Sequence, residues 1–118
     1  MSYRVEIRVK IENKERYIAV SDYDANITYN VRELIYQSSD WKIKNCESNG
    51  LAIDWIKKIH KGIKELTENP EEYRQYEASN GWGTVEGTLR FYKDCVLMFE
   101  DFMLCYEDLV DVAVVWVH

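Results

Sequence analysis

From residue 3 the chain alternates. Tyr3, Val5, Ile7, Val9 and Ile11 fall on one side, and Arg4, Glu6, Arg8 and Lys10 on the other. A period of two predicts a strand with one buried and one charged face. The polar run "ENKE" at 12–15 predicts a turn, and "RYIAV" at 16–20 the return strand of a hairpin. "SDYDANITYN" at 21–30 reads as a loop, because Asp and Asn bond their own backbone. Asn30 with Glu33 three residues on resembles a capping box. Val31, Leu34 and Ile35 then give a short apolar helix face that ends near Ser38. Residues 39–50 predict a connector whose Trp41 and Ile43 turn onto the core.

From Asn49 the period lengthens. Ala52, Trp55, Ile56, Ile59, Ile63 and Leu66 recur at three- and four-residue steps, with Lys57, Lys58, Lys61 and Lys64 opposite, which predicts an amphipathic helix. Asn69, Pro70, Glu71 and Glu72 make a favoured start for another, short helix carrying Tyr73 and Tyr76. Thr84 predicts the cap of a last helix reaching about Tyr106. That helix bears two apolar stripes. One is Leu89, Tyr92, Val96, Phe99, Met103 and Tyr106; the other is Phe91, Cys95, Met98, Phe102 and Cys105. Two stripes call for two partners, either a sheet and a second helix or another copy of the chain. "DLVDVAVVWVH" at 108–118 predicts a strand too apolar for an unpaired edge, central in the sheet or paired across a dimer. The order β-β-α-α-α-α-β is an α+β fold: a small antiparallel sheet, the N-terminal hairpin plus the C-terminal strand, with about four helices on one face.

Length and composition narrow this further. With 118 residues, 47% of them hydrophobic, the chain is expected to form one domain over 1–118. The alternating N-terminus is unlike a signal peptide, and no apolar run reaches the ~18–20 residues that span a bilayer, so a cytoplasmic protein without membrane contact is expected. The net charge of −6 is uneven: residues 1–64 hold 12 Lys/Arg against 9 Asp/Glu, and residues 65–118 hold 3 against 12. The acidic half disfavours direct binding to nucleic-acid backbones. It is either a solvated face that aids solubility or a surface that docks on a basic partner. Cys46, Cys95 and Cys105 contain no CxxC pair and read as reduced, partly buried thiols; the only histidines are His60 and His118. Asp22 and Asp24 form a close carboxylate pair, but no metal-ligand cluster or base-oriented nucleophile accompanies them. Catalysis is not the expected role, and no metal or cofactor is expected.

"NGWGTVEG" at 80–87 raises the question of a phosphate loop. Its glycines spell G-x-G-x-x-x-G after a helix, no Lys-Ser/Thr pair follows, and Glu86 would repel an anion. A joint between helices fits better: Gly81 left-handed, Gly83 allowing a sharp turn, and Gly87 packed closely on a neighbour.

"YDANITYNV" at 23–31, "NGLAIDWIKKI" at 49–59, "NPEEYRQY" at 69–76 and "NGWGTVEGTLRFY" at 80–92 together carry a resemblance. In this order and spacing the chain resembles a group of small uncharacterised proteins of bacteriophages, prophages and bacteria. The resemblance implies a phage or mobile-element setting, hence the cytoplasm of a bacterial host. It also draws two loops together as a candidate ligand site: Asp24, Asn26, Thr28, Tyr29 and Asn30 in one, Asn80 and Trp82 in the other. Their amides, hydroxyls and rings suit a small planar ligand such as a base. The competing reading is that they cap helices and tie the loops to each other.

Two functions are therefore expected to compete. The first is a non-enzymatic interaction or inhibitor-type protein that meets a protein partner through Glu100, Asp101, Glu107 and Asp108, or forms a homodimer through the 84–106 helix or the C-terminal strand. The second is a module that binds or sequesters a nucleotide-like small molecule between the two loops.

Overall fold

A computed structural model describes residues 2–11, 16–21 and 24–118. The expected turn at 12–15, together with Asp22 and Tyr23, lies outside the described residues. Strand β1 (Ser2–Lys10) is the axis of an antiparallel sheet. Along one edge it pairs first with β2 (Tyr17–Ala19) and then with β3 (Ala25–Thr28). Its other edge pairs with β5 (Val114–Val117), which pairs in turn with β4 (Glu47–Leu51). Pairing places Tyr3, Val5, Ile7 and Val9 with Ala25, Ile27, Val115 and Val117 on the face that the helices bury. Arg4, Glu6 and Arg8 take the opposite face, where the Arg8 guanidinium lies 4.5 Å from the centre of the Trp116 ring.

The fold is α+β with a five-stranded antiparallel sheet, two strands more than the sequence pattern predicts. The segment read as the 21–30 loop contains β3, and the 39–50 connector runs into β4. Both are short and polar, and their backbone bonds to β1 and β5 hold them extended. The helix expected from Asn49 begins at Ala52 instead. Asn49 ties the preceding loop: its Oδ1 accepts from Trp41 Nε1 (3.1 Å) and Lys44 N (2.8 Å), and its Nδ2 donates to Lys44 O (2.9 Å). The C-terminal strand is shorter than 108–118, because a 3₁₀ turn at Glu107–Leu109 precedes it. β5 lies between β1 and β4, so both of its edges are used within the chain.

Helices α1 (Arg32–Ser39), α2 (Ala52–Glu68), α3 (Pro70–Tyr73) and α4 (Val85–Cys105) cover the sheet. On α2, Ala52, Trp55, Ile56, Ile59 and Leu66 are buried, and the four lysines face solvent. Trp41 and Ile43 do turn inward; Trp41 stacks on Phe91 and meets the edge of Trp55. The expected capping box at Asn30 and Glu33 is absent. Thr28 Oγ1 accepts from Asn30 N, and Glu33 accepts from Gln37 one turn on. Nor does the Asn69 side chain cap α3, although Pro70 takes its first position. α4 packs against α2 and, across the sheet, against β3 and β1. Both of its stripes are buried or partly buried as far as Phe102; Met103, Cys105 and Tyr106 emerge beyond it. Among the described residues no helix is long and apolar enough to cross a membrane.

Candidate functional site

The two loops flagged in the sequence do meet, and they do so through polar groups that bond one another. Gly83 makes the junction: a Cβ there would lie 2.9 Å from Asn30 O and 3.0 Å from Val31 Cγ1. Asn80 Nδ2 donates to Asn30 Oδ1 (3.4 Å), and Asn80 Oδ1 accepts from Trp82 N (3.0 Å). Asn30 Nδ2 donates to Thr28 Oγ1 (3.0 Å). Asp24 is ion-paired with Arg4 (3.0 Å) and accepts from Asn26 Nδ2 (3.4 Å). The Tyr29 ring lies 4.4 Å from that of Tyr3, and its hydroxyl accepts from Asn45 Nδ2 (3.1 Å). Six of the seven candidate ligand residues thus hold each other or a neighbouring strand. The seventh, Trp82, presents its ring to solvent at 72% exposure.

Below this junction Arg74 gathers three carboxylates. It reaches Glu86 at 2.6 Å, Glu71 at 3.0 Å and Glu77 at 3.2 Å. The Glu86 carboxyl is held below its ordinary value by the Arg74 hydrogen bond. Glu77 Oε2 accepts from Val85 N (2.7 Å), and Thr84 Oγ1 accepts from Gly87 N (3.0 Å), so the first donors of α4 are satisfied. Gly81 is left-handed, with φ +77°, as the joint requires. The close neighbour of Gly87 is Thr84 Oγ1, its own helix cap. These donors bond within the chain, and a carboxylate stands among them, so the stretch is a joint rather than an anion cradle.

The opposite end of α4 is different. Leu97 and Leu104, at 56% and 86% exposure, belong to neither expected stripe and stand seven residues apart, about 10 Å along a helix. Met103, Tyr106 and Val112, later in the chain, are exposed as well. A groove of about 600 Å³ runs here, lined by Glu100, Met103, Leu104, Glu107 and Val110. Two of the four candidate partner residues, Glu100 and Glu107, therefore line it. Asp101 and Asp108 each follow one residue later in the chain. Residues 94–118 contain no Lys or Arg. Among the described residues no ion pair neutralises Glu100, Asp101, Glu107 or Asp108. The sequence pattern points to these carboxylates but not to Leu97 before them and Leu104 between them. Their signal was present: two large apolar residues, off both stripes, one heptad apart.

The thiols do not form a site. Cys95 is buried, and burial pushes its thiol well above the ordinary value, while Cys46 and Cys105 are exposed. Carboxylate oxygens of Glu6 and Asp24 come within 4.8 Å of a His118 ring nitrogen on the outer sheet face. Arg8 (2.6 Å) and Arg4 (3.0 Å) already neutralise the two carboxylates, so the trio is an ion-pair knot rather than a cation cage. Comparison of the chain with protein-family models, curated proteins and solved structures finds no match.

Proposed function

We propose that this is a non-enzymatic interaction protein of inhibitor type that docks a protein partner through the C-terminal end of α4. The observation that carries the reading is the apolar groove with two carboxylates on its wall that no ion pair neutralises among the described residues. Large exposed apolar side chains grouped on one face mark contact surfaces, whereas scattered single ones do not. The carboxylates add a second argument. Glu100, Asp101, Glu107 and Asp108 bracket the negative end of the α4 dipole, where cations stabilise and anions do not, and no basic residue occupies the last turn. Residues that cost local stability without compensation inside the chain are expected where function retains them. A phage or mobile-element setting, which the resemblance suggests, would put the partner in a bacterial host.

Photo-crosslinking inside cells tests this. A benzophenone amino acid at Leu104 is expected to trap a discrete adduct that disappears when Glu100, Asp101, Glu107 and Asp108 are reversed to Lys. The same probe at exposed Lys57 on α2 serves as control. Adducts no stronger at Leu104 than at Lys57 would refute the docking face.

A second reading has one observation in its favour. The solvent-facing Trp82 ring, on a loop stiffened by Asn80 and Gly83, could stack on a small planar ligand. It predicts a melting shift with some nucleotide or metabolite that Trp82→Ala removes. A nucleotide and metabolite panel that shifts nothing would remove this reading.

A further inference from the structure

Resting on that docking face, we infer the form of the element it receives: a cationic amphipathic helix of the partner, at least about two turns long. The ridge that α4 leaves uncovered reads Leu97, Glu100 and Leu104, and Glu107 follows in the 3₁₀ turn beyond the helix, so apolar and acidic groups alternate toward this end. Beside it, Met103 and Val110 complete the apolar lining of the groove. Along α4, Leu97 to Leu104 spans about 10 Å, two helical turns at ~1.5 Å per residue, and Glu107 extends the acidic edge beyond them. The geometric complement of such a ridge is a second helix with apolar side chains at heptad spacing and Lys or Arg one turn away. Its leucines would fall beside Leu97 and Leu104, and its cations beside Glu100 and Glu107.

Charge selects among the occupants. A second copy centred symmetrically on Leu104 would set these carboxylates against their own equivalents, because the nearest cations on this face, Lys93 and Arg90, lie about three turns or more back along α4. An anionic lipid surface or a nucleic-acid backbone would be repelled in the same way. A partner helix flanked by Lys or Arg is attracted. Because the carboxylates are exposed, that attraction chiefly sets association rate and selectivity, while the apolar contact sets the lifetime.

The test uses the full chain and labelled synthetic peptides of about 18 residues, followed by fluorescence anisotropy. One peptide is helical, with leucines at heptad spacing flanked by lysines. The second carries glutamates for the lysines, and the third has the first one's composition scrambled so that no apolar stripe forms. The first peptide is expected to bind, and the other two at least about tenfold more weakly. Leu104→Ser and the pair Glu100→Lys, Glu107→Lys are each expected to weaken the first peptide by about tenfold or more. All three sites are exposed, and circular dichroism of each variant confirms the fold. Equal binding of the scrambled peptide, or binding indifferent to Leu104→Ser, would overturn the helix and leave only charge attraction. Sedimentation showing self-association abolished by Leu104→Ser would assign the face to a second copy instead. If the peptides fail while the Leu104 crosslink persists, the partner is a protein of another shape and the docking face stands. Loss of both removes the docking face as well.

Discussion

Tyr92 shows how much one residue decides in a small core. Its ring is fully buried against Gly62 of α2, and its hydroxyl shares a 2.7 Å hydrogen bond with Ser38 Oγ of α1. Alanine in place of a mid-helix glycine ordinarily stabilises by about 1 kcal/mol. At Gly62 the sign should reverse, because a Cβ would overlap the Tyr92 ring. Gly62→Ala is expected to destabilise by about 1–3 kcal/mol in urea titrations, as overpacked cores do. Burial also pushes the Tyr92 hydroxyl up to about 12. A raised value means the folded state keeps a proton that the unfolded state begins to release near pH 10. This contribution is therefore complete below about pH 10 and fades between about pH 10 and 12. Tyr92→Phe should flatten that alkaline loss in thermal melts while removing about 1 kcal/mol at neutral pH with the Ser38 bond. At the loop junction, Gly83→Ala should destabilise measurably, since Asn30 O is backbone and cannot yield as a side-chain tip can. Trp82→Ala should change stability by no more than about 0.5 kcal/mol, as expected for an exposed ring. A large loss at Trp82 would mean that its ring braces the joint.

Among the elements, α4 depends most on its start. Thr84→Ala removes the acceptor for Gly87 N and is expected to cost about 1 kcal/mol, read by chemical denaturation. That cap was legible because it is local: a threonine opening a long apolar period. The N-terminal hairpin and α2 were legible for the same reason, since their periods of two and of three to four lie in the residues themselves. β3 and β4 were not. "ANIT" and "ESNGL" carry no strand period strong enough to stand alone, and they are strands because β1 and β5 offer them paired backbone. Asn49 shows the same limit in reverse. Beside a strong helical period it reads as a helix start, but its amide is needed five to eight residues back to close the Trp41–Lys44 loop. Of the two candidate sites, the pairing of the loops was suggested by the resemblance and not by any local pattern, and the mutual bonding that occupies their polar groups is a property of the fold.

Across the whole molecule, charge and exposed apolar surface coincide at one end. The lysines of α2 face solvent on their own helix, whereas the last 25 residues hold six carboxylates and no Lys or Arg. If the carboxylates around the groove served only solubility, reversing two of them should leave partner binding intact. If they hold a cationic helix, Glu100→Lys with Glu107→Lys should weaken binding about tenfold or more and yet leave the chain as stable as before, or a few tenths of a kcal/mol more stable, because cations suit the C-terminal end of α4. Ionic strength gives a second separation. As salt rises from about 0.01 M to about 0.15 M, the Debye length falls from about 30 Å to about 8 Å. Binding through these exposed charges should weaken over that range in the wild type and become insensitive in the reversed pair. The apolar contact at Leu104 should keep its effect throughout. Peptide affinities measured at both salts for wild type, the charge-reversed pair and Leu104→Ser would show whether the two contributions separate. A salt response that persists after charge reversal would place the binding elsewhere on the surface.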